Sequence, residues 1–316
     1  MAMIDFAEFS RELDTQGYFI WPGLQPHDLI DEHVAAYRAL NEREGVPIGE
    51  DVSALSTEKR EELKKARHVF HETHEATRQL FHPRALRTFL EQHFGEAAVM
   101  RQPETGFFHR NTPPHNDSLD LRVSKAGTEV RLWYALEDIH PDAGPMYVLP
   151  GTHASVSMLL EEAVNDERPD LVGLLREQMG ETSATAFYEA TLPLWRYVKQ
   201  TKFGHAAQSV ALQPLLLKKG DAVVFRSDLV HGTCHCNQPG LTRSYAVSYW
   251  SSRSAEWYQS RSFWGAPHDH RRPENVIPTV VRETPYGPEI SFQAMHAAYM
   301  ASFGRAVVAR EESACA

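Results

Sequence analysis

Gly220-Asp221-Ala222-Val223-Val224-Phe225-Arg226-Ser227-Asp228-Leu229-Val230-His231-Gly232-Thr233 reads as a turn followed by a buried strand. The apolar run is short, bounded by turn residues, and rich in β-branched and aromatic side chains. A His at the end of such a strand points in or out by parity, and an inward one lands inside a barrel. A second strand follows the turn Asn237-Gln238-Pro239-Gly240 and runs from Thr242 to Trp250. Side chains alternate along it, so Arg243, Tyr245, Val247 and Tyr249 share one face. An Arg among Tyr and Val on a buried face requires an anionic partner. Its guanidinium is also the side-chain group best shaped for a two-point grip on a carboxylate.

The upstream counterpart of His231 is His115-Asn116-Asp117. Two imidazoles and one carboxylate can occupy one face of an octahedral ferrous ion and leave three adjacent positions open for a co-substrate and dioxygen. An H-x-D tripeptide alone says little, because His and Asp often share exposed turns. Together with His231 it makes a candidate metal set. Arg243, on the strand expected to adjoin His231, is then placed to hold the distal carboxylate of 2-oxoglutarate, and Thr233 to add a hydroxyl bond. A structural Asp or Glu partner is the alternative for Arg243.

Downstream of Asp117 come Val130-Arg131-Leu132-Trp133-Tyr134-Ala135-Leu136-Glu137-Asp138 and Asp142-Ala143-Gly144-Pro145-Met146-Tyr147-Val148-Leu149-Pro150-Gly151-Thr152-His153. Taken in order with H-x-D, Gly220-Asp221, His231-Gly232-Thr233 and Arg243, these blocks resemble the phytanoyl-CoA dioxygenase family of Fe(II)/2-oxoglutarate oxygenases. The opening Phe9-Ser10-Arg11-Glu12-Leu13-Asp14-Thr15-Gln16-Gly17-Tyr18-Phe19-Ile20 resembles the family's first helix, glycine and strand. The resemblance runs from about residue 5 to 250. It implies His115, Asp117 and His231 as iron ligands, and Arg243 and Thr233 at the distal carboxylate. It places Trp133 where the family often sets an aromatic beside the co-substrate. It assigns no residue between Arg101 and Phe108 to the inner end of 2-oxoglutarate. Related iron halogenases replace the carboxylate ligand with a small residue; Asp117 is present, so the resemblance favours hydroxylation or a related oxidation such as desaturation or cyclisation.

The chain has 316 residues, no internal repeat and no low-complexity linker, and is read as one domain over 1–316. The expected fold is mainly β with helical decoration: a double-stranded β-helix, the cupin-like jelly roll. Its core is expected over about 97–250, with helices before it, including a capped charged helix from Ser56 to Lys65. The insertion over about 154–210 is expected either as a lid on the active-site mouth or as a packing layer or dimer contact. The C-terminal extension, 251–316, carries a helix from about Ser291 to Arg310, expected to cover the barrel or to mediate a homodimer.

A formal net charge of -10 argues against a nucleic-acid surface. No apolar run reaches membrane-spanning length and no signal-peptide pattern opens the chain, so a cytoplasmic protein is expected. Three cysteines argue against a disulfide framework. Rival metal motifs fare poorly. His268-Asp269-His270 lies in a Pro- and Arg-rich loop without strand context. His71-Glu72-Thr73-His74 has its histidines three apart where the zinc-protease helix needs four. Cys234-His235-Cys236 lacks a second ligand pair. His153 is expected to brace a turn.

The expected activity is oxidation, most simply hydroxylation, of a C–H bond in a small metabolite. Fe(II), 2-oxoglutarate and dioxygen are consumed or cycled, and succinate and carbon dioxide are released. His109, Trp195, Tyr197 and Trp250 are the candidate substrate contacts. A cupin-like metal-dependent isomerase or a non-catalytic small-molecule binding protein is the alternative.

Overall fold

A computed structural model describes residues 5–46, 55–107, 111–119, 121–123, 127–155, 167–171, 193, 196–238, 240–259, 276–277 and 280–290. His109, Trp195, the His268–His270 loop and the expected helix over 291–310 lie outside the described residues.

Helix α1 (Phe6–Thr15) starts at Asp5, whose carboxylate accepts from the backbone N–H groups of Ala7 and Glu8. It ends ahead of Gly17, whose φ of +83° favours glycine. A Cβ there would sit 2.5 Å from the His153 ring, and that ring in turn bonds the Asp14 carbonyl at 3.1 Å. His153 thus braces the turn into strand β1 (Tyr18–Trp21). Helices α2 (His27–Arg43), α3 (Thr57–Thr73), α4 (Glu75–Phe81) and α5 (Arg84–Phe94) follow, α3 capped by Ser56 on Lys59 N.

The strands then come in chain order: β2 (Ala98–Gly106), β3 (Leu121–Val123), β4 (Glu129–Ala135), β5 (Met146–Val148), β6 (Gln213–Pro214), β7 (Ala222–Arg226), β8 (His231–Thr233), β9 (Tyr245–Ser252), β10 (Trp257–Gln259), β11 (Val276–Ile277), β12 (Val281–Thr284) and β13 (Gly287–Ile290). Seven of them form a sheet in the order β1-β7-β4-β9-β2-β13-β12. A smaller sheet, β6-β5-β8, faces it, and β11-β10-β3 form a third. This is the jelly-roll arrangement expected, with a wider major sheet. Strand β1 comes from the N-terminal segment and β12 and β13 from the C-terminal one, so the core exceeds the 97–250 span. Glu289 of β13 accepts from His82 at 2.9 Å and from Arg282 at 2.8 Å, which ties the added edge to the helical layer.

Alternation along β4 and β9 divides the interior in two. Val130, Leu132, Tyr134, Ala246 and Trp250 face the helices, packing with Leu13, Phe19, Trp21 and Phe89. Trp133, Ala135 and Val247 face the smaller sheet, with Met146, Val148, Val223 and Phe225. The functional cavity lies on this second side.

The described part of the insertion contains a π-helical turn (Val198–Phe203) and helix α6 (Gly204–Ser209). With Leu171 it packs on Tyr147, Leu149 and Val230, on the outer face of the smaller sheet. Tyr147 points outward because its neighbours Met146 and Val148 point in. Among the described residues, this part packs behind the smaller sheet.

Candidate metal centre and co-substrate pocket

His231 opens β8 and pairs with Val148 of β5 on one side. On the other it forms an isolated antiparallel bridge with His115: His115 N donates to His231 O at 2.9 Å, and His231 N to His115 O at 2.8 Å. The two rings lie 4.3 Å apart, centroid to centroid. The chain then enters a 3-10 turn (Asp117–Leu119), where the N–H groups of Asp117 and Ser118 both donate to the Ser227 carbonyl, at 2.8 and 3.0 Å.

Both imidazoles are held in one tautomer by backbone carbonyls. His115 Nδ1 lies 2.9 Å from Pro113 O, and His231 Nδ1 3.0 Å from Leu229 O. A carbonyl only accepts, so each Nδ1 carries a hydrogen and Nε2 is the nitrogen turned to the site. Nε2 of His115 lies 3.6 Å from Asp117 Oδ1, and Nε2 of His231 lies 3.8 Å from Oδ2. Burial and, after it, the neighbouring His115 push the His231 pKa down to about 4, so its lone pair is available at neutral pH. Burial alone would raise the Asp117 pKa, but His231, Arg131 and His115 outweigh it and keep the carboxylate ionised. Two aimed imidazole nitrogens and one ionised carboxylate, all within 4.8 Å of one another, suit a divalent transition metal.

These three side chains line a cavity of about 190 Å³ with Glu104, Thr112, Trp133, Met146, Phe225, Thr233, Arg243, Tyr245, Val247 and Tyr249. Arg243 is buried just ahead of β9, and its Nη1 donates to the Gly144 carbonyl. Burial lowers its pKa, partly offset by the Tyr245 hydroxyl and the Cys236 and Cys234 thiols. Gly144, at φ +68°, lies close against the segment after β8: a Cβ there would sit 2.8 Å from Cys234 O. The Thr233 hydroxyl accepts from Thr112 N at 2.8 Å. Trp133 stacks on Tyr245 at 5.5 Å and 16°.

Five of the sequence candidates therefore share this cavity with Arg243: His115, Asp117, His231, Thr233 and Trp133. One relation needs correcting. Arg243 does not sit on a strand adjoining His231. Strand β9 lies between β4 and β2 in the major sheet, while β8 pairs with β5 in the smaller one. Arg243 faces the histidines across the barrel. Trp250 is a second correction. The alternation that turns Tyr245, Val247 and Tyr249 inward turns Trp250 to the helical side. There it is fully buried against His82 and donates to Ser248 Oγ at 2.9 Å. Tyr197 also lies away from the cavity, packed behind the smaller sheet with its hydroxyl on Glu167 at 2.5 Å.

Sequence reading passed over a buried polar network beneath Asp117. Arg131 Nε donates to Asp117 Oδ2 at 3.1 Å, and its Nη1 lies 2.9 Å from Glu129 Oε1. Its guanidinium carbon lies over the Tyr249 ring, 3.8 Å from the centroid. Ser227 Oγ donates to Glu129 Oε2 at 3.0 Å. Burial would lower the Arg131 pKa, but Glu129 and Asp117 outweigh it and hold the guanidinium charged. Arg131 shares the inward face of β4 with Trp133, so parity alone could have found it. Arg226, another basic residue beside the motif strands, is engaged by Asp228 at 2.8 Å.

A jelly roll with two histidines and one carboxylate converging at its mouth defines the class of cupin-like non-haem metal oxygenases. The phytanoyl-CoA dioxygenase family model matches residues 13–236, and the chain belongs to that family of Fe(II)- and 2-oxoglutarate-dependent enzymes. No curated protein matches the sequence. Among solved structures, it is similar to the non-heme alpha ketoglutarate dependent epimerase SnoN from nogalamycin biosynthesis, at 16% identity and TM-score 0.51, covering 85% of this chain and 89% of that one. It is also similar to EctD from S. alaskensis, solved with 2-oxoglutarate and 5-hydroxyectoine, at 14% identity and TM-score 0.52, covering 85% and 84%. The carbocyclase SnoK, from nogalamycin biosynthesis, matches at 16% and 0.51, covering 79% and 85%. Such identities speak for a shared fold. Among the described residues, no helix is long and apolar enough to cross a membrane.

Proposed function

We propose that the protein hydroxylates a C–H bond of a small metabolite, with His115, Asp117 and His231 holding Fe(II). The observation that carries this reading is the convergence of these three groups and Arg243 on one small cavity. With 2-oxoglutarate and dioxygen, the bound iron supplies the oxidising chemistry: the keto acid becomes succinate and carbon dioxide, and one oxygen atom goes to the substrate.

The chain's own residues supply the rest. The two histidines turn Nε2 to the site, because backbone carbonyls accept from their Nδ1 hydrogens. Arg243 grips the distal carboxylate of 2-oxoglutarate, and Thr233 adds a hydroxyl from the opposite sheet. The stacked Trp133–Tyr245 pair forms an apolar wall that excludes water from the reacting end. Burial makes the Arg243 charge worth more to an anion there than it would be at the surface.

The test is anaerobic titration of the Fe(II)-loaded protein with 2-oxoglutarate, followed by succinate measurement in air with candidate substrates. A metal-to-ligand charge-transfer band and substrate-stimulated succinate are expected. A protein that binds small molecules without the band and without succinate is a cupin-like isomerase or a binding module. Product mass separates hydroxylation from epimerisation or ring closure, the reactions of two proteins of similar fold.

A further inference from the structure

Asp117 could offer a metal either one carboxylate oxygen or both, and the difference matters. The facial arrangement leaves three positions, two for a chelating keto acid and one for dioxygen. A carboxylate that ligates through both oxygens fills one of them. Arg131 bears directly on this choice. Its Nε donates at 3.1 Å to Oδ2, the oxygen 3.8 Å from His231 Nε2, while Oδ1 lies 3.6 Å from His115 Nε2 and takes no bond from Arg131. The guanidinium is confined by the Glu129 carboxylate, an ion pair with 2.9 Å between Nη1 and Oε1, and by the Tyr249 ring, whose centroid lies 3.8 Å from its central carbon. Ser227 locks both ends of the device. Its hydroxyl donates to Glu129, and its carbonyl accepts from Asp117 N.

Resting on the oxygenase reading above, we propose that Arg131 is a positioning residue that restricts Asp117 to ligation through one oxygen and so keeps the third metal position open. Glu129 completes the design. A cation beside a divalent metal site opposes metal binding by simple Coulomb repulsion. The Glu129 carboxylate balances Arg131, so the guanidinium contributes direction without reducing the charge that Asp117 offers. Arg131 pairs in charge with both carboxylates, and Ser227 bonds Glu129, so no charge of the three is buried alone.

The test uses the full chain and Co(II) as the probe. The double variant Arg131→Met/Glu129→Gln removes the two charges together and keeps an amide for Ser227. Arg131→Lys keeps the charge but not the fork, and carries the test should the double variant fail to fold. In both, Co(II) binds at least as tightly as in the parent, and its visible spectrum shifts toward higher coordination. The affinity of the Co(II) form for 2-oxoglutarate falls about ten- to a hundredfold. Unchanged 2-oxoglutarate affinity, or Co(II) affinity lost in step with it, overturns the proposal. A parent protein that binds Co(II) but never 2-oxoglutarate fails the oxygenase reading instead, and the two failures are told apart by that control.

Discussion

Replacing Arg243 with Ala removes the only cation among the described residues lining the cavity that lies outside the Asp117 network. Removing one partner of a buried, hydrogen-bonded charge pair costs about 2–5 kcal/mol. At about 1.4 kcal/mol per factor of ten, 2-oxoglutarate binding weakens by roughly thirty- to several-thousandfold. The structure narrows the expectation further. One Nη1 hydrogen is already given to Gly144 O, so the guanidinium is anchored in the cavity wall before the carboxylate arrives. Lysine keeps the charge and loses the fork, a loss nearer one charge-assisted hydrogen bond, about 1.5–3 kcal/mol. The assay is anaerobic titration of the Fe(II)-loaded proteins, read at the charge-transfer band. A second ligand, 2-oxobutyrate, shares the chelating end and lacks the distal carboxylate. It is expected to bind parent and variant alike. Thermal unfolding reports the separate cost of the lost Gly144 contact, about 1 kcal/mol. If Arg243→Ala weakens both keto acids equally, Arg243 acts through the fold or the metal, and the assignment is wrong.

Gly232→Ala puts a Cβ 2.5 Å from Tyr147 Oη and 2.9 Å from Thr112 O, so β8 must shift beside His231 and Co(II) affinity drops; Gly240→Ala, in open space, leaves it unchanged. Trp250→Phe opens a gap on the helical side and loses the bond to Ser248, lowering stability by about 1–3 kcal/mol in a urea melt while 2-oxoglutarate affinity holds. Acid also destabilises the helical layer. Burial, with His74 adding, holds the His33 pKa down to about 3, and burial holds His71 well below its ordinary value. Unfolded imidazoles titrate near pH 6.5, so below that the unfolded chain takes up protons that the folded one refuses. The stability these residues contribute is complete above about pH 6.5 and lost as pH falls toward about 3, at up to about 1.4 kcal/mol per pH unit for each imidazole. Urea midpoints between pH 7.5 and 5.5 should fall accordingly, and His33→Gln should make the slope shallower; equal slopes refute the account.

Much of this was readable in the residues because it depends on local rules. The turn and apolar run at Gly220–Phe225 announce β7, and parity from Arg243 onward names the inward face. His115, Asp117 and His231 were legible as chemistry, because two imidazoles and a carboxylate have few other reasons to recur in strand contexts. What escaped depends on contacts between distant segments. Which sheet β9 joins is decided by pairing with β4 and β2, so Arg243 was set beside His231 when it stands opposite. The recruitment of β1, β12 and β13 to the major sheet comes from segments far from the motifs. Trp250 differs for another reason: an aromatic ring suits a substrate pocket, but the alternation along β9 turns this one to the helical side. Arg131 was visible as an inward residue, but its partners were not, since nothing local says that a buried Arg will choose Asp117 and Glu129.

The reciprocal backbone bonds between His115 and His231 make the spacing of the two imidazoles a property of the main chain. That spacing exists before any ion arrives, so little reorganisation accompanies loading. A chelator should therefore empty the site without melting the barrel, and manganese, cobalt or nickel should enter the same seat in turn. Selection among them then falls to cellular supply and to which ion can carry out the chemistry, with the scaffold largely indifferent to the choice.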